Sequence, residues 1–265
     1  MRASMSTGED SVTVITLTRG RPHLLRRAIA SVAQQDFPGP IEHLILIDDC
    51  PATRLWCARH ASGLEIKWHY MTRSGRVLVT PKRLAELRNE GVRLAGSRWI
   101  MFLDDDNQLE PNHLSSLVAL ARISRCQAVH SHAQLLWPDG TPYVDPILPW
   151  GPRRSARKAY RNLCARGIFV PGSHIARDRA SAETVDTGEW LFSRSLLIQV
   201  PFPVHYTASD KSQRTTEDTK LLRRLLQRGV QIRCTELPTL KYYLGGYSNE
   251  HATVRQGTEA KRPGI

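Results

Sequence analysis

The chain has 265 residues, 41% of them hydrophobic, and its 37 Lys and Arg against 25 Asp and Glu give a formal net charge of +12. This length and composition are those of a globular protein with a sizeable core, and they exclude a disordered chain. No stretch approaches the ~18 uninterrupted apolar residues of a membrane-spanning helix, and the polar N-terminus lacks the apolar core of a signal peptide. We expect a soluble, cytoplasmic protein whose positive charge attracts anionic partners.

The first half of the chain alternates between apolar, β-branched runs and segments with helical spacing. Strands are predicted at 12–17, 43–47, 66–70 and 99–103, and helices from Pro22 onward, over 81–95 and around 114–121. Strands that alternate with helices of this length predict an α/β fold with a mostly parallel central sheet flanked by helices.

The second half is less regular. We expect a strand at 128–136 with exposed His130 and His132, a loop-rich segment at 137–179, and a helix at 217–228. That last helix should bury Leu221, Leu222, Leu225 and Leu226. The loop-rich segment contains a basic cluster without a nearby acid, formed by Arg153, Arg154, Arg157, Lys158, Arg161 and Arg166.

Cysteine spacing indicates neither a zinc site nor a disulfide framework. The five cysteines are scattered and form no CxxC pair: Cys50, Cys57, Cys126, Cys164 and Cys234. We therefore expect reduced thiols.

Acidic residues follow two of the predicted strands, Asp48-Asp49 after the second and Asp104-Asp105-Asp106 after the fourth. Ligands of parallel α/β sheets bind at this carboxyl edge. Adjacent carboxylates repel one another unless a cation neutralises them, and oxygen ligands suit Mg²⁺ or Mn²⁺. A solvated turn could explain the triplet alone, but its place on the same edge as a second acidic pair favours a metal site. The pair at 48–49 would accept hydrogen bonds from a nucleotide, a helix cap being the alternative.

Glycine-rich phosphate motifs are missing from the sequence, which contains neither GxGxxG nor GxxxxGK[ST]. This excludes the usual dinucleotide oxidoreductase and P-loop fingerprints, so a diphosphate would be bound by metal and by Arg or Lys. Further along, Thr216-Glu217-Asp218 begins a predicted helix. A capping box between Thr215 and Asp218 would explain this pattern, and so would a rigidly mounted catalytic base.

Five motifs in order resemble those of glycosyltransferase family 2, whose fold is GT-A. They lie at 14–22, 46–49, 87–91, 99–107 and 216–218, and the resemblance extends over most of residues 11–251. It implies a single GT-A domain at 11–251, with a nucleotide-binding half at 11–110 and an acceptor-binding half at 111–251. A disordered N-terminus at 1–10 and a C-terminal tail at 252–265 would flank that domain.

The resemblance also implies roles for individual residues. It implies that the nucleoside is bound by Thr18, Arg21 and Asp48, with Asp49 as second choice, and that Arg88 supports the base or the diphosphate. Asp104 or Asp105 would touch the ribose, and Asp106 would bind the metal together with His251. Asp218 is similar to the family's catalytic base, with Glu217 beside it.

The activity that the resemblance implies is metal-dependent (Mn²⁺ or Mg²⁺), inverting transfer of a hexosyl or N-acetylhexosaminyl group from a UDP-sugar. The membrane helices and QxxRW motif of processive members are missing, which implies one sugar per acceptor. The basic cluster favours an anionic or carrier-bound acceptor, such as one on an acidic carrier protein, or else forms a solvated lid. Two rival functions are a nucleotidyltransferase on a similar fold and a nucleic-acid-binding module, which the aromatic content of 7% disfavours.

Overall fold

The structure is a computed structural model that describes residues 10–61, 66–73, 80–150, 153–167, 169, 185–213, 215–246 and 249. Its strands are β1 Val12–Thr18, β2 Ile41–Asp48, β3 Ile66–Met71, β4 Trp99–Phe102, β5 Gln108–Leu109, β6 Ala128–Leu136, β7 Trp190–Ser193 and β8 Ile232–Tyr243. Its helices are α1 Pro22–Ala33, α2 Pro51–His60, α3 Thr80–Leu94, α4 His113–Ser124, α5 Arg153–Ala165, α6 Arg194–Gln199, α7 Ala208–Ser212 and α8 Glu217–Gln227, with a 3-10 turn at Thr187–Glu189.

The strands form one eight-stranded sheet in the order β3-β2-β1-β4-β7-β6-β8-β5. Strands β1 to β4 are parallel to one another, and β7 runs antiparallel between β4 and β6. Strand β6 pairs in parallel with β8, which pairs with the short antiparallel β5. The carboxyl ends of β1, β2 and β4 therefore lie side by side along one edge.

Helices cover both faces of this sheet. In β1, Val12 and Val14 pack against α1 and α4, whereas Ile15 and Leu17 pack against α3, α6 and α8. Helix α3 comes close to β1 because residue 91 is glycine: a Cβ there would lie 2.8 Å from Cγ2 of Ile15. Burial on both faces explains why the central parallel strands β1 and β4 consist of apolar and β-branched residues.

The strands and helices predicted for the first half are confirmed, with boundaries shifted by a residue or two. Helix α2 was not predicted; it begins at Pro51, whose fixed φ suits the first helical position. Strand β8 was also not predicted as a whole. Within the described residues, no helix is long and apolar enough to span a membrane.

Three expectations for the second half were wrong. His130 and His132 are not exposed but only 2% and 4% accessible, because β6 lies inside the sheet between β7 and β8. Leu226 is 48% exposed, since it points away from the sheet that buries Leu221 and Leu225. The segment predicted to be loop-rich contains helix α5, which carries most of the basic cluster. All five cysteines lie within the described residues, and no two of them form a disulfide.

Candidate active site

The turn after β4, Asp104–Asp106, is held by groups from the end of β1 and the start of α1. Asp105 has no exposed surface, and it accepts hydrogen bonds from Oγ1 of Thr18 at 2.7 Å and from the guanidinium of Arg21. Burial raises the pKa of Asp105 to about 7, although the charge of Arg21 opposes this rise. The carboxylate of Asp105 supports the turn through Thr18 and Arg21, which leaves Asp104 as the more accessible of the two acids expected to contact the ribose.

Asp104 and Asp106 are the accessible carboxylates of the turn. The side chain of Asp104 is 37% exposed, and Oδ2 of Asp106 accepts a hydrogen bond from Nη1 of Arg21 at 2.8 Å. Burial and the charge of Asp104 raise the pKa of Asp106. Gly246 passes directly over this carboxylate, since a Cβ at residue 246 would lie 2.9 Å from Oδ2. The chain after β8 thus covers one side of the acidic turn.

This pair of carboxylates fits a hard divalent cation. Each carboxylate raises the energy of the other's charged form, and a cation would relieve that repulsion. No group of three or more His, Cys, Asp or Glu side chains suited to a metal occurs in the described part of the chain. A cation here would therefore take one or two oxygens from the turn and complete its shell with water and phosphate, as Mg²⁺ commonly does. His251, expected as a further ligand, lies outside the described residues.

Asp48 lies at the end of β2 and is held by two arginines that the sequence analysis did not single out. Its Oδ1 accepts from Nε of Arg73 at 3.1 Å and from Nε of Arg83 at 2.9 Å. Burial alone would raise the pKa of Asp48, but these two guanidinium groups hold it below the usual value. Neighbouring Asp49 has a φ of +46° and accepts a hydrogen bond from Tyr70 at 3.0 Å. Asp48 is thus a fixed anion at the carboxyl edge.

Arg88, on helix α3, joins the acidic turn to the start of α8. Its guanidinium donates to Oε1 of Glu217, 129 residues away, and lies 3.4 Å from Oδ1 of Asp104. It lies beside the edge-to-face pair of Phe102 and Phe202, at 5.8 and 5.6 Å from their ring centroids. Burial alone would lower the pKa of Arg88, but the charges of Glu217 and Asp104 raise it. With its side chain 4% exposed, Arg88 has almost no surface for the base or diphosphate it was expected to support.

Glu217 and Asp218 begin helix α8 but have different environments. Glu217 is buried, and this burial raises its pKa to about 7 against the charge of Arg88. Asp218 is half-buried, and its Oδ1 accepts from the backbone N–H of Thr219 at 2.6 Å and from the hydroxyl of Thr216. No described residue donates a hydrogen bond to its second oxygen, Oδ2. Asp218 therefore has a lone pair on Oδ2 available for a proton, whereas the carboxylate of Glu217 is buried and bonded to Arg88.

The capping box considered for α8 is not formed. The helix N-cap is Thr216, whose side chain makes no capping hydrogen bond, and Thr215 lies one residue before it. Asp218 bonds instead to groups of its own turn.

One acid near the site was missed in the sequence. Asp186 precedes the 3-10 turn and accepts a hydrogen bond from the backbone N–H of Gly188 at 2.9 Å. Burial and the charges of Asp104 and Asp218 raise its pKa well above the ordinary value. The only feature of the local sequence that marks Asp186 is the pattern Asp-Thr-Gly-Glu, in which Asp186 and Glu189 form a capping box. Asp186 adds a fourth acidic segment to the site, after those at 48–49, 104–106 and 217–218.

Comparison with known proteins gives the family and the fold of the chain. A family model described as glycosyl transferase family 2 matches residues 11–185. Among curated proteins no sequence match was found. TarS 1–349 from S. aureus, solved in complex with UDP-GlcNAc, superposes with a TM-score of 0.60 at 16% identity over 92% of this chain and 62% of that chain. The mannosyltransferase PcManGT from Pyrobaculum calidifontis, solved with GDP-Man and Mn²⁺, gives a TM-score of 0.59 at 14% identity over 92% and 59%.

At these identities the likeness to solved structures shows the fold alone. That fold is GT-A, so the fold class and the family resemblance predicted from the sequence are confirmed. The chain spans about three-fifths of the length of the two structures, 62% and 59%.

Proposed function

The chain belongs to glycosyl transferase family 2, and we propose that it transfers a hexosyl or N-acetylhexosaminyl group from a UDP-sugar to an acceptor in one inverting displacement. The observation that carries this proposal is the link through Arg88. Arg88 bonds both Asp104 of the acidic turn and Glu217, the residue before Asp218, and it thereby ties the start of α8 to that turn. A transferase of this kind needs these two acidic groups at one place, one for the acceptor and one for the leaving group.

The donor nucleotide would lie along the carboxyl ends of β1 and β2. Asp48, held by Arg73 and Arg83, would accept hydrogen bonds from the base, with Asp49 beside it. Arg19 is half-exposed, with a guanidinium nitrogen 3.9 Å from Asp48, and is a cation available to the diphosphate. Asp48 is a fixed anion for the base and Arg19 an accessible cation for the phosphates, and this pair supports a nucleotide-linked sugar as the donor.

Thr18 and Arg21, expected to contact the nucleoside, would act mainly through the acidic turn. Both donate to Asp105, and Arg21 also donates to Asp106. Asp104 is the exposed acid of the turn and would accept hydrogen bonds from the ribose. Asp106 would hold Mn²⁺ or Mg²⁺, and such an ion stabilises negative charge on a departing diphosphate when it is bound.

The acceptor half of the reaction would depend on Asp218. As an acceptor oxygen bonds to the anomeric carbon, Oδ2 of Asp218 takes the proton of that hydroxyl. The bond from the anomeric carbon to the diphosphate oxygen breaks at the same time, and its electron pair leaves with the diphosphate. Glu217 is a positioning residue here, because its carboxylate is buried and bonded to Arg88. The acceptor is proposed to be anionic or carrier-bound, and the enzyme's location to be the cytoplasm.

The experiment that tests this function identifies the products. The protein is incubated with Mn²⁺, a panel of nucleotide sugars and host extract, and the products are followed by mass spectrometry. The proposal expects free UDP and a product heavier by one sugar. A parallel incubation supplies nucleoside triphosphates and sugar 1-phosphates, and release of pyrophosphate there would instead establish a nucleotidyltransferase. The absence of UDP and of a glycosylated product with every nucleotide sugar would refute the proposed function.

A further inference from the structure

Helix α5 presents a face of exposed cations. Arg157, Lys158 and Arg161 are exposed and occupy positions i, i+1 and i+4, which share one side of a helix. None of the ion pairs formed between described residues includes any of the three. These residues, here named the basic face, are cations without a counter-ion in the described part of the protein.

The opposite side of α5 fixes the orientation of this face. Ala156 and Tyr160 are buried, and the ring of Tyr160 stacks on Phe169 with centroids 6.2 Å apart. The backbone carbonyl of Ala156 also accepts a hydrogen bond from the N–H of Leu148 at 3.2 Å. Because its apolar side is packed, α5 holds the basic face towards solvent.

A short series of contacts connects α5 to the acidic turn. Just before the helix, Nε1 of Trp150 lies 3.4 Å from the hydroxyl of Tyr242 at the end of β8. That hydroxyl accepts from Nδ2 of Asn249, and Asn249 hydrogen-bonds back to the turn at 245–246. Gly246 in this turn passes over the carboxylate of Asp106. The residue that precedes α5 is therefore tied to the chain segment that covers the acidic turn of the proposed active site.

The chemistry of the basic face selects the kind of ligand. Two of its three cations are guanidinium groups, which bind phosphate through paired N–H donors. None of the exposed large apolar side chains lies on α5. An interfacial membrane helix needs such side chains to enter the lipid, so the face suits a phosphate-bearing molecule in solution better than a bilayer.

We propose that the basic face of α5 binds the acceptor, and that this acceptor is a soluble molecule bearing several phosphate groups. The inference rests on the proposed function, since it deepens the nature of that reaction's acceptor. The basic face holds the acceptor at the edge of the site by charge, while Asp218 accepts the proton of the reacting hydroxyl.

The test measures binding of a fluorescein-labelled polyphosphate chain to the full-length protein, in chelator so that no metal links the probe to the acidic turn. The test variant carries Arg157→Glu, Lys158→Glu and Arg161→Glu. The matched control carries Arg125→Glu, Arg228→Glu and Arg233→Glu, which reverse three exposed cations near the starts of β6 and β8. Both variants have the same net charge, so only the position of the change differs.

We expect the α5 variant to bind polyphosphate about tenfold or more weakly than the wild type, the summed effect of three exposed charges. The control should change by less than about threefold, because charges beyond a Debye length are screened. The salt dependence of binding should fall in the α5 variant alone. Equal weakening in both variants, or in neither, would overturn the inference.

Two further measurements separate other outcomes. Tighter binding of a poly-glutamate peptide than of polyphosphate would overturn the phosphate chemistry in favour of an acidic protein. Tighter binding of vesicles of anionic phospholipid would overturn it in favour of a membrane surface. Calorimetry of UDP with Mn²⁺ tests the donor site independently. If the wild-type protein does not bind UDP, the proposed function is refuted, whether or not the protein binds polyphosphate.

Discussion

Replacing Arg88 by Met removes the central contact of the site. The side chains of Arg88 and Glu217 are only 4% and 7% exposed, so this substitution leaves a buried carboxylate without its cation. Breaking a buried ion pair from one side costs about 3–5 kcal/mol. Protonation of Glu217 limits that loss, because its pKa is already raised to about 7 with Arg88 in place and would rise further without it. Asp104, the other partner, is exposed enough for water to replace the contact.

Urea unfolding measures this effect, with a double variant as the main comparison. Arg88→Met should lower the free energy of unfolding by about 3 kcal/mol, a large part of the 5–15 kcal/mol typical of a domain. Arg88→Met combined with Glu217→Leu should recover most of that loss, because two apolar groups replace both charges. Arg93→Met is the matched control, since Arg93 is an exposed residue of the same helix paired with Glu90. It should change stability by less than about 1 kcal/mol.

Turnover separates the positioning role of Arg88 from its contribution to stability. The double variant should be folded and should bind UDP within about threefold of the wild type, since Arg88 has almost no exposed surface. Its kcat should still fall at least about tenfold, because Asp218 loses the anchor beside it. A single variant as stable as the wild type, or a double variant with normal kcat, would refute the bridging role of Arg88.

Two other predictions concern pH and metal. His43 and His113 are buried, and burial lowers their pKa to about 4 and about 3. Below about pH 6.5 these histidines bind more protons in the unfolded chain than in the folded one, so their contribution to stability decreases as the pH is lowered. Each histidine should lower stability by about 2 kcal/mol between pH 7 and pH 5, whereas the raised pKa values of Asp105 and Glu217 act in the opposite direction. The comparison is therefore with His113→Asn, which should lose about 2 kcal/mol less than the wild type over this range; the same pH dependence of the urea midpoint in both proteins would contradict this. Chelator should stop transfer and Mn²⁺ or Mg²⁺ should restore it, while Asp106→Ala should stay folded and lose activity about a hundredfold or more. Full activity of Asp106→Ala in chelator would exclude the metal assigned to that residue.

The first half of the fold and one side of the site could be predicted from sequence because their signals are local. Strands β1, β2 and β4 consist largely of buried apolar or β-branched residues, and each is followed closely by polar residues of the carboxyl edge. Asp48 and the turn at 104–106 were found in this way. Family resemblance then added Asp218, which no local pattern distinguishes from a helix cap.

The second half could not be predicted because its structure depends on contacts between distant residues. Strand β8 contains Pro238 and a residue with positive φ, Glu236, and its register with β6 shifts near His132, so no clean alternation marks it. His132 is buried only because β7 and β8 enclose its strand. Helix α5 is flanked by proline and glycine, and these residues outweighed the good helix propensity of its Arg and Lys.

The ion pairs of the site could also not be predicted from the sequence. Arg88 was expected near the ligand, but its partner is Glu217, and no pattern joins residues so far apart. Arg73 and Arg83 were overlooked for the same reason, since only the pairing of β2 with β3 brings that part of the chain to Asp48. The charges of a site are visible in a sequence, whereas the pairs they form are visible only in the fold.

The central claim is that Asp218 takes the proton of the acceptor, and the turnover of Asp218→Asn tests it most directly. The measurement is the rate of UDP release from the donor with Mn²⁺ and the acceptor that product analysis identifies. Asparagine keeps the shape of the side chain but cannot act as the base, so transfer should slow by about 10²–10⁴-fold with melting temperature and UDP affinity nearly unchanged. Asp210→Asn, at the start of neighbouring α7 and paired with Lys220, is the control and should keep wild-type turnover per folded molecule. Near-normal UDP release by Asp218→Asn would contradict the account.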